Sequence, residues 1–227
     1  MKIAKGFRTG IAIIVFAIPV LLIAIIHLDG NNHFALPVYF AEDSVKTPEG
    51  HYEVTEARTI PAFSFKDQYG RPFGTEELKG QIWVAGFIFT RCPGICIDMT
   101  NQLVRVQESI AKSPEVKIVC FTVDPSYDTV EVLKAYADRY KAVKDRWYFL
   151  TGKDTAIYDL AKKGFLLSAL MDGDSPTDIS HAEKFVLIDK NGWIRGYYSG
   201  TDKDEVDRLV VEIDVLREIY KDKENAR

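Results

Sequence analysis

The first apolar segment of the chain is continuous: IAIIVFAIPVLLIAIIHL, from Ile11 to Leu28, carries no charge. Its length matches the ~17–25 helical residues that cross a bilayer core, and a membrane helix tolerates a proline such as Pro19. The pattern predicts one N-terminal transmembrane helix over 11–28. Lys2, Lys5 and Arg8 stand before it, so residues 1–10 are expected in the cytoplasm and the rest outside. A cleaved signal peptide would have a shorter apolar region, roughly 7–15 residues, ending in a small-x-small site. No such site follows directly, so an uncleaved anchor is expected. No cysteine follows for a lipid anchor, and the segment lacks the Arg- and Ser-rich amphipathic character of mitochondrial targeting. A single-pass protein of the bacterial inner membrane is the reading, its domain extracytoplasmic (periplasmic).

Residues 29–56 are polar and mixed, with Pro37, Pro48 and Gly50, and read as a tether. Residues 57–227 have the patterning of one folded domain. FSFKDQYGRPFG alternates around a glycine turn and predicts a short hairpin. QIWVAGFIFT (81–90) and VKIVCFTVD (116–124) are nearly all apolar, as strands buried on both faces are. Between them Met99, Leu103, Val106 and Ile110 recur at helical spacing. Val130, Leu133, Ala137 and Tyr140 mark a second helix, with Asp128 placed to cap it. WYFLTG is a short strand, and 153–164 reads as a helix ending near Gly164. A polar loop leads to His181. KFVLIDKNGWIRGYYSG then predicts two strands joined at Asn191-Gly192. Val206, Leu209, Val210, Ile213 and Leu216 form a closing amphipathic helix. This order predicts an α/β fold whose mixed central sheet is flanked by helices.

Charge narrows the partners. The formal net charge is −4, and without the three N-terminal cations the 29 basic residues become 26 against 33 acidic ones. No basic cluster stands out, which excludes nucleic acid as an expected partner. Three cysteines leave one thiol over in any pairing.

Cys92 and Cys96 follow the strand ending at Thr90, at the edge where α/β sheets place ligands. If they form the first helical turn, the four-residue spacing puts both sulfurs on one face. Pro93 fits an early helical position, and a helix N-terminus favours thiolates. That arrangement serves metal binding and thiol–disulfide exchange equally well, and a plain structural disulfide is the simpler alternative. Two soft sulfurs suit Cu(I) or Zn(II), but a structural zinc site needs four ligands. Of the four histidines, His27 lies in the apolar run and His33 and His51 in the tether. Only His181 lies within the folded part, at a loop-to-strand junction, and two thiolates with one imidazole suit three-coordinate Cu(I). Cys120, inside an apolar strand, reads as a buried small hydrophobe, and Met99 as part of its helix's core stripe.

Four segments in order resemble the Sco/SenC/PrrC family of membrane-anchored copper proteins. FIFTRCPGICIDMT is similar to the family's F-x-x-T-x-C-P-x-x-C motif, and FTVDPSYDTVEVLKAYA to its V-D-P-x-x-D-T segment and helix. TGKDTAIYDLAKKGF resembles the next helix, and SHAEKFVLIDKNGWIRGYYSG the histidine-plus-strand segment. The resemblance covers roughly Ile60 to Asp214. It implies a thioredoxin-like fold and copper on Cys92, Cys96 and His181, as Cu(I), with Cu(II) also supported by a nitrogen ligand. It implies delivery to a copper centre of cytochrome oxidase during assembly, with an oxidase subunit as acceptor and a copper donor or thiol reductant upstream. Some members have thiol–disulfide reductase activity, so the alternative expectation is an oxidoreductase with Cys92 attacking and Cys96 resolving. Asp124 and Asp128 match paired aspartates near the family's site, with contacts to the groups around the ligands or to a partner as the implied role. Two departures stand out: Ile97 replaces the usual proline after the second cysteine, and Cys120 is an extra thiol.

Overall fold

The computed structural model describes residues 17, 18, 21, 36–47, 52–167 and 183–225. Two sequence expectations fall outside them: His181, and all but three residues of the 11–28 run. Among the described residues no helix is long and apolar enough to cross a membrane. The chain divides into two compact units, Met1–Ala35 and Leu36–Arg227, and the fold below belongs to the second.

Its centre is a five-stranded mixed sheet in the order β7-β6-β5-β8-β9. The strands are β5 (Ile82–Ile88), β6 (Val116–Thr122), β7 (Trp147–Leu150), β8 (Lys184–Ile188) and β9 (Ile194–Ser199). β5, β6 and β7 run parallel, while β8 and β9 run antiparallel to their neighbours. This matches the mixed sheet expected from the alternation of strands and helices. Every residue of β5 is buried, because the sheet is covered on both sides. On one side Val84, Ile118 and Leu187 meet three helices: α1 (Ile95–Ser109), α2 (Val130–Arg139) and α4 (Lys203–Asn225). On the other, Trp83, Phe87 and Phe121 meet β3 (Ser64–Lys66), β4 (Pro72–Gly74) and the short helix α3 (Asp154–Asp159), which continues as a π-turn over Leu160–Gly164. The second side is an aromatic stack: Phe87 lies over Phe121 at 5.2 Å between ring centroids, with Phe165 edge-on to Phe87 at 5.3 Å.

Both hairpins turn on the same chemistry. Asp67 and Asp189 each follow a strand, and each accepts backbone N–H bonds from the residues two and four ahead: Tyr69 and Arg71, Asn191 and Trp193. Gly70 (φ 74°) and Gly192 (φ 80°) supply the left-handed residue. Gln68, in the first turn, points its amide at the edge of β7. It accepts from the Phe149 N–H at 3.0 Å and donates to the Trp147 carbonyl at 2.9 Å.

The segment read as a tether holds a ribbon of β1 (Ala41–Lys46) and β2 (Tyr52–Ala57), nearly all of it exposed. It is fastened at the end of the sheet where β8 passes into β9. There the buried Arg195 pairs with Asp189 at 2.9 Å and donates to the carbonyls of Leu36 (2.7 Å) and Pro37 (2.8 Å).

Two helix starts differ from the sequence reading. α1 begins at Ile95 with Gly94 as its N-cap, so Cys92 stands outside the helix. The residue before a proline is pushed out of helical geometry, and Pro93 does this to Cys92. α2 is capped by Thr129, whose hydroxyl accepts from the Val132 N–H. Asp128 does not cap it, because its carboxylate is turned toward β5 and β6.

Candidate metal and thiol centre

β5 ends at Ile88 and delivers Thr90, Arg91 and Cys92 to the sheet edge. α1, starting two residues after Pro93, returns Cys96 to the same place. Burial of Met99, Leu103 and Val106 against the sheet, at ~1.5–3 kcal/mol per side chain, holds this helix down. The Cys92 sulfur accepts from the Cys96 N–H at 3.4 Å, so it takes up one of the unpaired donors of the first helical turn. The helix-start effect expected from the spacing is therefore present, though Cys92 reaches it from outside.

The two thiols are unlike. Cys92 is partly exposed and Cys96 is buried; both are free. Partial burial pushes Cys92 up, but the N–H groups of Cys96 and Gly94 and the Cys96 thiol outweigh it, leaving its pKa below the ordinary thiol value. Burial pushes Cys96 up to about 12, and its interactions with Cys92 and Asp128 add to the rise, while the Phe89 N–H opposes it. Deeper burial of Cys96, with the N–H groups facing Cys92 and the contact between the two sulfurs adding to it, thus separates their acidities. Cys120 also lies at about 12, again through burial; the Trp147 indole N–H, 3.3 Å from its sulfur, opposes the rise. It belongs to the same core as Cys96, in keeping with the reading of a buried small hydrophobe.

Both aspartates singled out from the sequence fasten the residues ahead of Cys92. Asp128, fully buried, accepts from the Thr90 N–H at 3.1 Å, from the Thr90 hydroxyl, and from the Thr122 hydroxyl at 2.5 Å. Asp124 binds the Arg91 guanidinium at 2.5 Å, and that guanidinium lies 4.2 Å above the exposed Tyr127 ring. Thr90 is a position of the F-x-x-T-x-C-P-x-x-C motif, though the motif assigns it no role. Arg91, Thr122 and Tyr127 were not singled out, and only their adjacency to the C-P-x-x-C and D-P-x-x-D segments could have pointed to them.

Among the described residues no group of three or more His, Cys, Asp and Glu side chains surrounds a point that could hold a metal. The donor set they do offer is two adjacent sulfurs, one readily ionised, and this chemistry fits a soft monovalent cation. It equally fits an attacking and a resolving thiol.

Comparison with known proteins gives a consistent answer. The SCO1/SenC family profile matches residues 52–214. The SCO1 protein homolog of Bacillus subtilis is 31% identical over 156 residues, 68% of this chain and 80% of that one. A Stutzerimonas stutzeri protein named for copper binding is 31% identical over 143 residues, 62% of this chain and 69% of its own. Among solved structures, BsSco is described as a member of the Sco family of cytochrome c oxidase assembly proteins in which a disulfide switch was identified. It superposes with a TM-score of 0.59 at 29% identity, covering 70% of this chain and 93% of that one. The α/β sheet and its flanking helices are the thioredoxin-like fold of these proteins, and the chain belongs to the SCO1/SenC family.

Proposed function

We propose that this protein is a copper chaperone: it carries copper as cargo on Cys92, Cys96 and His181 and passes it to a cytochrome c oxidase subunit during assembly. The observation that carries the reading is the pair of touching thiols at the end of β5, one of them held below its ordinary pKa. The direction of β8 supports the third ligand. β8 runs antiparallel to β5, so Lys184 lies at the edge where β5 ends. His181 is three residues upstream, within roughly 11 Å of extended chain. Relatives named for copper binding and for oxidase assembly support the cargo and the acceptor. Transfer is by stepwise ligand exchange, the acceptor's cysteines and histidines replacing this chain's ligands one at a time. The 11–28 run and the cations before it support an inner-membrane anchor with the domain outside. Competition of the reduced full chain against a Cu(I) chelator tests the proposal. Wild type holds one copper; Cys92→Ser, Cys96→Ser and His181→Ala each weaken it. Unchanged affinity in His181→Ala would remove the histidine from the ligand set.

A second reading rests on the inequality of the thiols. A thiol–disulfide reductase needs an accessible thiolate and a buried partner, and Cys92 and Cys96 are so placed. Cys92 would attack a disulfide sulfur of the partner, forming a mixed disulfide and releasing one partner thiolate, which takes up a proton. Cys96, having given up its proton, would then attack the Cys92 sulfur, releasing the second partner thiolate and leaving a Cys92–Cys96 disulfide. A dithiol reductant must restore it. Full oxidase assembly in cells carrying His181→Ala would favour this reading over the first.

A further inference from the structure

The strand registers sort the loops between the two ends of the sheet. Ile82 of β5 lies beside Val116 of β6, and Ile118 beside Trp147 of β7. The loop leading into β7 (140–146) is therefore at the end where β5 and β6 begin. β8 runs the other way, with Ile188 opposite Trp83. The clamp of Asp189 and Arg195 on Leu36 and Pro37 thus stands at that same end. Cys92 follows the opposite end of β5.

The loop before β7 is cationic with an apolar tip. Arg139, Lys141 and Lys144 are exposed, and so is Val143 among them, at 47%. Arg146 is the fourth cation in residues 139–146, and Asp145 the one carboxylate. Arg71 holds that carboxylate at 3.1 Å. The fold adds Lys117 from the start of β6, which donates to the Asp145 carbonyl at 3.0 Å. Asp138, just before the loop, is held by Lys134 at 2.5 Å. The loop is fixed from beneath. The buried Gln107 side chain accepts from the Val143 N–H at 2.8 Å and donates to the Lys141 carbonyl at 3.3 Å. Lys141 and Asp145 are held at φ 52° and 59°, a left-handed geometry that side chains disfavour. So rigid a loop keeps Val143 in water instead of folding it under.

We propose that this loop rests on the anionic headgroups of the bilayer that the 11–28 run enters, Val143 reaching the acyl boundary and Arg139, Lys141 and Lys144 taking lipid phosphates. The proposal rests on the reading of that run as a membrane anchor. Seven residues separate Leu28 from Leu36, so at most about 30 Å of extended chain connects the clamp to the end of the run. The loop lies three strand spacings across the sheet from the clamp, roughly 14 Å. A short tether keeps this end of the sheet at a high effective concentration near the surface. Docked so, the domain holds Cys92 away from the bilayer by the length of β5, about 23 Å, where the soluble part of another protein can reach it.

The test places the full chain with vesicles of phosphatidylcholine alone, or of phosphatidylcholine with one third phosphatidylglycerol. Bromine on the acyl chains quenches any indole that reaches them. Val143→Trp reports contact as emission lost relative to the unsubstituted chain. The loss is about twofold greater or more in the anionic vesicles, and adding Lys141→Glu with Lys144→Glu abolishes the difference. Equal quenching in both vesicles overturns the proposal, since the indole alone would then explain it. So does an equal effect of Lys66→Glu with Lys153→Glu, exposed beyond the far end of β7, which would mean attraction to the surface at large. A loop left unquenched that binds a polyglutamate peptide also overturns it, and assigns the surface to an acidic protein. Retention through alkaline carbonate extraction, read on the same vesicles, tests the anchor separately. Quenching without retention sinks the anchor alone, retention without quenching sinks the docking alone, and loss of both sinks both.

Discussion

Two aspartates are sealed from solvent at opposite ends of the same sheet, and their surroundings differ in kind. Asp189, past the end of β8, faces the buried Arg195 at 2.9 Å, and its charge is cancelled. Asp128, past the end of β6, is as deeply buried, yet its carboxylate receives only the hydroxyls of Thr90 and Thr122 and one backbone N–H. No cation binds it among the described residues. The first arrangement fixes the frame, since the same arginine grips the incoming chain at Leu36 and Pro37. The second leaves negative charge standing beside Cys96, whose pKa it helps to raise.

The contrast can be broken in measurable ways. Arg195→Ala leaves Asp189 buried without a counter-charge, which costs about 3–5 kcal/mol, read as a lower urea midpoint. Asp128→Asn removes a charge that only neutral donors were holding, and turns one acceptor into a donor facing two hydroxyls. That costs about 1–3 kcal/mol. A loss equal to that of Arg195→Ala would erase the distinction between the two ends. The Asn variant also shifts Cys96 downward from about 12, because one of the groups raising it is gone; thiolate absorbance during an alkaline titration reports this. Across pH, alkylation of Cys92 reaches half-maximum below the ordinary thiol value, and that of Cys96 stays slow until about pH 12. The sign follows from the folded state: the N–H groups of Cys96 and Gly94 and the contact with Cys96 favour the Cys92 thiolate, whereas burial disfavours that of Cys96. Arg91→Ala has the smallest effect. The exposed pair with Asp124 is screened by water, so stability is unchanged within error.

The sheet could be read from the chain because buried strands leave an apolar run, and Cys92 and Cys96 stood out because two thiols four apart follow a strand end, though their spacing alone suited a metal, thiol exchange and a staple alike. The start of α1 could not, since the effect of Pro93 on Cys92 competed with a spacing that suited a full helical turn. Asp128 was misread for a related reason. An aspartate ahead of a helix looks like a cap, and only the tertiary approach of Thr90 and Thr122 shows that its carboxylate is engaged elsewhere while Thr129 caps. Arg91 carries no pattern of its own. Its role arises from two loops that meet only in the folded chain.

Gln68 has a consequence for the company the protein keeps. β7 is an outer strand, and the groups at its rim would otherwise invite another polypeptide to zip on and start a fibre. One glutamine amide occupies both the Phe149 N–H and the Trp147 carbonyl, imitating a neighbouring strand with a single side chain. Replacing it with leucine would leave that N–H and carbonyl without their partner and open the rim to a neighbouring chain.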